Sequence, residues 1–134
     1  MKTIFKIIEK VFLLICITIL ADRSNFPPKE FTLIGKWKEI ESSGSDVNKL
    51  FQISIEDGNE ITFEKGNIAI DKLKNKGTYE TFGDNLHISF PKEEYYYIIN
   101  RHKTDPEKMY LTPADEYYSI LCDEGCAFLY KKIQ

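Results

Sequence analysis

The stretch FQISIEDGNEITFE, residues 51–64, decides how the rest of the chain is read. Phe51, Ile53 and Ile55 alternate with Gln52, Ser54 and Glu56; Asp57-Gly58-Asn59 interrupts; Ile61 and Phe63 then alternate with Thr62 and Glu64. A period of two belongs to a β-strand, whose successive side chains point to opposite faces. Asp, Gly and Asn together supply the backbone conformations of a tight turn. The unit predicts two antiparallel strands, each dry on one face and wet on the other.

Working outward, the same grammar continues. Leu86, Ile88 and Phe90 oppose His87 and Ser89, and Ile68 and Ile70 repeat the pattern in a shorter strand. Turn signals recur at Lys65-Gly66-Asn67, Asn75-Lys76-Gly77, Gly83-Asp84-Asn85, Pro91-Lys92, Thr104-Asp105-Pro106, Pro113-Ala114 and Asp123-Glu124-Gly125. Turns about 8 to 12 residues apart are what a meander of short strands produces. Tyr95–Ile99 and Cys126–Tyr130 are apolar on both faces and predict strands covered on both sides. Thr112-Pro113-Ala114-Asp115 carries a helix-start pattern, so a short helix through Tyr117–Leu121 is one reading. A strand from Tyr117 to Cys122, turned back onto Cys126–Ile133, is the preferred one.

Short antiparallel strands must hide their edges, and closure into an up-and-down barrel does so. The expected fold is therefore all-β, a meander closing into a small barrel of about eight to ten strands. A chain of 134 residues fills one ordinary domain. Residues 22–32 read as a linker, 33–134 as the barrel, and Ser42–Asp46 (SSGSD) as a mobile loop near its mouth. Aromatic content is 13% and the net charge is -3 with both signs interspersed. No single-sign field is available to attract phosphate backbones, so nucleic acid is not an expected partner.

Residues 1–21 differ from everything after them. Lys2, Lys6 and Lys10 precede the apolar run VFLLICITIL (11–20), which Ala21 closes ahead of a polar segment with Pro27 and Pro28. A basic start, a short apolar core and a small residue at the cut describe a secretory signal peptide. The run is well short of the roughly 20 residues a spanning helix needs. Cleavage is expected after Ala21, leaving an exported protein in the periplasm, at the cell surface or secreted, without a stable membrane span. Lipid anchoring at Cys16 is the minor alternative, because Ile15 is bulky where a lipoprotein signal has a small residue.

Gly35-Lys36-Trp37, preceded by Leu33-Ile34, opens the first expected strand, and Phe128-Leu129-Tyr130-Lys131-Lys132-Ile133 closes the meander. On these features the chain resembles the short lipocalin-like domain proteins of bacterial envelopes, from about Phe31 to Ile133. The resemblance implies that Gly35 permits the bend into the barrel and that Trp37 plugs its bottom. Larger lipocalins carry a Thr-Asp-Tyr motif, whereas here Thr104-Asp105 is followed by Pro106. The arginine that packs on the motif Trp has no assigned counterpart; Arg101 is the only arginine after Arg23. Both departures favour the smaller bacterial variant. The implied function is non-enzymatic binding of a small hydrophobic or amphiphilic ligand, with a filled-barrel envelope module for protein interaction as the alternative.

Chemistry-bearing residues are sparse, and we expect no catalytic residue, metal site or cofactor. His87 alternates away from Leu86 and Ile88 and is expected to face solvent; acid pairs such as Asp115-Glu116 fall at turns. Glu39 and Glu41 share strand parity with Trp37, and an inward carboxylate would orient a ligand's polar head; a wet, edge-facing acid is the competing reading. Tyr95 and Tyr97 share a face, on which Tyr79, Tyr110, Tyr117, Tyr118 and Tyr130 could converge. Tyrosine pairs an apolar ring with a polar tip, which suits a pocket for a small amphiphile; core filling competes with that. The candidate ligand-binding residues are Tyr79, Tyr95, Tyr97 and Glu39. Cys122 and Cys126 flank Asp123-Glu124-Gly125 within reach of each other and are expected to form a disulfide in an oxidising compartment.

Overall fold

The computed structural model describes residues 28–46, 49–122 and 125–134. The expected leader, with Cys16 and the cut after Ala21, lies outside the described residues, as do residues 22–27 of the expected linker. The described residues form nine strands and no helix: β1 (Gly35–Asp46), β2 (Lys49–Ser54), β3 (Glu60–Glu64), β4 (Ile68–Asp71), β5 (Lys76–Phe82), β6 (Asn85–Phe90), β7 (Glu93–Arg101), β8 (Lys108–Ala114) and β9 (Cys126–Lys132). No helix among them is long and apolar enough to cross a membrane.

All pairings are antiparallel, strands β3 to β9 follow one another around the sheet, and β1 joins β3 on one edge and β9 on the other. Eight strands thus close into an up-and-down barrel of the expected small lipocalin-like kind, with β2 as an added ninth. β2 and β3 share one edge of β1. Gly35 to Lys38 pair with β3, and Glu41 to Asp46 pair with β2. The changeover falls at Ile40, where a bulge shifts the β1–β9 register: Glu39 opposes Tyr130 but Glu41 opposes Leu129. At this point the Asp57-Gly58-Asn59 turn presses on β1, and a Cβ on Gly58 would lie 2.0 Å from the Glu39 carbonyl oxygen. Only glycine allows that approach.

Inward residues meet across the ladders: Trp37 opposes Ile61, Phe63 opposes Ala69, Leu86 opposes Tyr97, Ile99 opposes Leu111 and Met109 opposes Tyr130. Trp37, Ala69, Leu86, Met109 and Leu111 are fully buried. Trp37 packs against the segment that leads into β1. Its indole N–H donates to the Leu33 carbonyl at 2.7 Å, and Phe31 lies 5.9 Å away between ring centroids. Gly35, at φ 133°, starts the strand against Gln134, whose carbonyl oxygen would sit 2.6 Å from an added Cβ. The cation over the Trp37 ring is Lys132, at 4.8 Å, which also donates to the carbonyls of Thr32 and Ile34. Arg101 instead stacks over Phe31 at 4.9 Å.

Several expectations need correction. Ser42–Asp46 is not a loop; it is the upper half of β1, hydrogen-bonded on both edges. β2 has no dry face: Leu50, Phe51 and Ile53 are exposed, because β2 lies outside the closed ring. In β4 the buried residue is Ala69, opposite Phe63, and Ile68 and Ile70 are only half-buried, since alternation sends them to the other face of the strand. Residues 117–122 form no strand beyond a bridge between Ala114 and Ile120. The Asp115 carboxylate draws in the N–H groups of Tyr117 (2.9 Å) and Ser119 (2.8 Å), which folds the chain into a turn with Tyr118 at φ 60°.

Candidate functional site

A half-open cavity of about 390 Å³ opens at the barrel end that carries Asn59, Leu73 and Glu93. Strand register builds it. Ile88 opposes Tyr95 and Leu86 opposes Tyr97, so these two of the three tyrosines of β7 turn inward above the core. Ile61, Ile88 and Tyr130, themselves nearly buried, form the floor. The Tyr95 and Tyr97 rings lie 6.3 Å apart at an interplanar angle of 12°, and Phe90 meets Tyr95 edge-on at 6.3 Å. Such ring pairs are preferred arrangements that hold the wall in shape. Asn59, Glu60, Asp71, Lys72, Leu73 and Glu93 supply the rim.

The rim is electrostatically divided. Lys72 Nζ lies 2.5 Å from Asp57 Oδ1, and Lys36 Nζ lies 2.7 Å from Glu60 Oε2, so these four charges are paired off. Asp71 accepts from the Asn75 backbone N–H at 2.8 Å and from its side-chain amide at 2.7 Å. Desolvation there opposes ionisation, but the hydrogen bonds from Asn75 and the Leu73 N–H outweigh it and hold the carboxyl below its ordinary range. Glu93 accepts a hydrogen bond from the Tyr95 hydroxyl. Burial pushes the Tyr97 hydroxyl up to about 12, with Tyr95 and Glu39 adding to the effect. Tyr130 is raised further, again first by burial and then by Tyr97 and Glu39.

Of the four expected ligand-binding residues, Tyr95 and Tyr97 line the cavity. Glu39 stands one layer behind the wall: it is 6% exposed, opposes Tyr130, and accepts the Asn59 N–H at 3.3 Å. Tyr79 is elsewhere. It packs edge-on against Phe63 at 4.9 Å between ring centroids, with its hydroxyl 3.4 Å from the Glu64 carbonyl. Glu41 does not accompany Glu39, because the bulge between them breaks the parity they share in sequence. Among the other tyrosines only Tyr130 joins. Tyr118 stacks edge-on against Tyr96 on the outer wall, Tyr96 lies flat on His87 at 4.5 Å, and Tyr110 stacks on His102. His87 faces outward as its alternation requires, though Tyr96 covers it.

Asp71 and Glu93 were not among the expected site residues. The pairing of Asp71 with inward Ile61 reveals the first; the second is one of two consecutive acids beside a Pro-Lys turn, with no signal of its own. A larger depression of about 550 Å³ lies between Phe51, Gln52, Thr112 and Ile120, but it is shallow and lacks converging charged groups. No family profile matches the chain, and no curated protein matches it. Among the described residues no group of three or more His, Cys, Asp and Glu is placed to hold a metal ion. Cys122 and Cys126 are joined in a disulfide, with Cα atoms 5.8 Å apart.

Proposed function

We propose that this chain is an exported, non-enzymatic, lipocalin-like protein that holds a small amphiphilic ligand at the open end of its barrel. The observation that carries this reading is the cavity of about 390 Å³ walled by Tyr95, Tyr97 and Tyr130. Small-molecule sites have volumes of a few hundred Å³, mainly apolar walls and a few polar groups. Ile61, Ile88 and the ring faces offer the apolar contact, while tyrosine hydroxyls and rim carboxylates offer hydrogen bonds to a head group. Export is supported by the leader-like residues 1–21 and by the disulfide, a bond that persists in oxidising compartments.

N-phenyl-1-naphthylamine, a neutral apolar fluorophore, tests the reading. Its emission should rise saturably with one-to-one stoichiometry, and excess octan-1-ol should displace it. A response that does not saturate, or that octanol leaves unchanged, contradicts ligand binding. That outcome would favour the second reading, an interaction module, whose support is the β2 arm with Leu50, Phe51 and Ile53 exposed and one edge unpaired.

A further inference from the structure

We infer that the cavity selects cationic amphiphiles, holding an alkylammonium head with the Tyr95–Tyr97 ring pair and the Asp71 and Glu93 carboxylates. The inference rests on the ligand-binding reading above and adds the sign of the ligand's charge. Three carboxylates and one ammonium border the cavity: Glu60, Asp71, Glu93 and Lys72. Lys72 is engaged by Asp57 Oδ1 at 2.5 Å and by the Gly58 carbonyl at 3.3 Å, and Glu60 is engaged by Lys36. Among the described residues Asp71 receives hydrogen bonds from neutral donors, the Asn75 N–H and amide and the Leu73 N–H, and Glu93 from the neutral Tyr95 hydroxyl. Neither has an ion-pair partner among the described residues.

Glu39 lies behind the cavity wall. It is 6% exposed and, among the described residues, has the Asn59 N–H as its one hydrogen-bond donor and no cation beside it. It opposes Tyr130 across the β1–β9 ladder and so stands directly behind the tyrosines of the cavity. Above these acids, the ring faces of Tyr95 and Tyr97 present their negative quadrupoles, which attract ammonium groups. An organic cation therefore gains from rings and carboxylates together. An anion of the same shape meets like charge at the rim.

Octyltrimethylammonium, octan-1-ol and octyl sulfate share one alkyl tail and differ in charge. Binding is measured by calorimetry on the full exported chain below the micelle concentrations of all three. The cation should bind about 10-fold or more tighter than the alcohol, and the sulfate about 10-fold or more weaker. Added salt should narrow the cation's advantage. In Asp71→Asn/Glu93→Gln, checked for folding by its melting transition, the cation should fall to within about 3-fold of the alcohol. Equal affinities, preference for the sulfate, or an unchanged ratio in the folded double variant would overturn charge selection and leave the cavity reading standing. If no probe binds, both readings fall.

Discussion

At the scale of the residue, Trp37 and the inward tyrosines carry the account. Trp37 is fully buried, hydrogen-bonded through its indole to Leu33 and capped by Lys132 and Phe31. Trp37→Ala should destabilise the fold by about 3 to 5 kcal/mol, the usual cost of deleting a buried aromatic; an unchanged urea midpoint would contradict that burial. Tyr97 has its pKa raised to about 12, and Tyr130 shifts in the same direction. A tyrosine whose folded pKa exceeds its unfolded value favours the fold fully below about pH 10 and loses that contribution as pH rises through about 12. Melting midpoints should therefore fall across this window while tyrosinate absorbance lags behind that of the unfolded chain. Complete ionisation near pH 10 with the fold intact would contradict the burial of these hydroxyls. The burial of Trp37 and the shared face of Tyr95 and Tyr97 were legible in the sequence. The separation of Glu39 from Glu41 was not, because a bulge leaves no mark on a period-two pattern.

At the scale of the element, alternation located the strands but not what would cover them. Residues 51–55 alternate as well as 61–63 do, yet β3 lies inside the ring and β2 outside it. The difference is set by β1, whose one long edge serves both, and sequence spacing does not encode which partner takes which half. The interval 117–122 went astray for another reason: Asp115 satisfies two backbone N–H groups locally, and that turn competes successfully with strand pairing. The disulfide follows this turn and pins the start of β9. Because the ring it closes is short, replacing both Cys122 and Cys126 by Ser should cost only about 2 kcal/mol. The double variant should still fold and still bind the fluorophore. Unfolding at room temperature would show that the bond does far more than tether a hairpin.

At the scale of the molecule, closure through β1 and β9 creates two unlike ends from one meander. At the first, Trp37 packs with Phe31 and Lys132. The second keeps a cavity because Tyr95 and Tyr97 stack on each other along the wall above Ile61 and Ile88, leaving the space between wall and rim unfilled. Turn spacing made the barrel legible; the cavity depends on ring orientations, which composition does not specify. The most direct measurement is an isotope-filtered NOE spectrum of the protein with bound octyltrimethylammonium. The account predicts contacts from the ligand to the rings of Tyr95 and Tyr97 and to the methyl groups of Ile61 and Ile88. Contacts to Phe31, or to Phe51 and Ile120 of the shallow outer depression, would place the ligand elsewhere and contradict it.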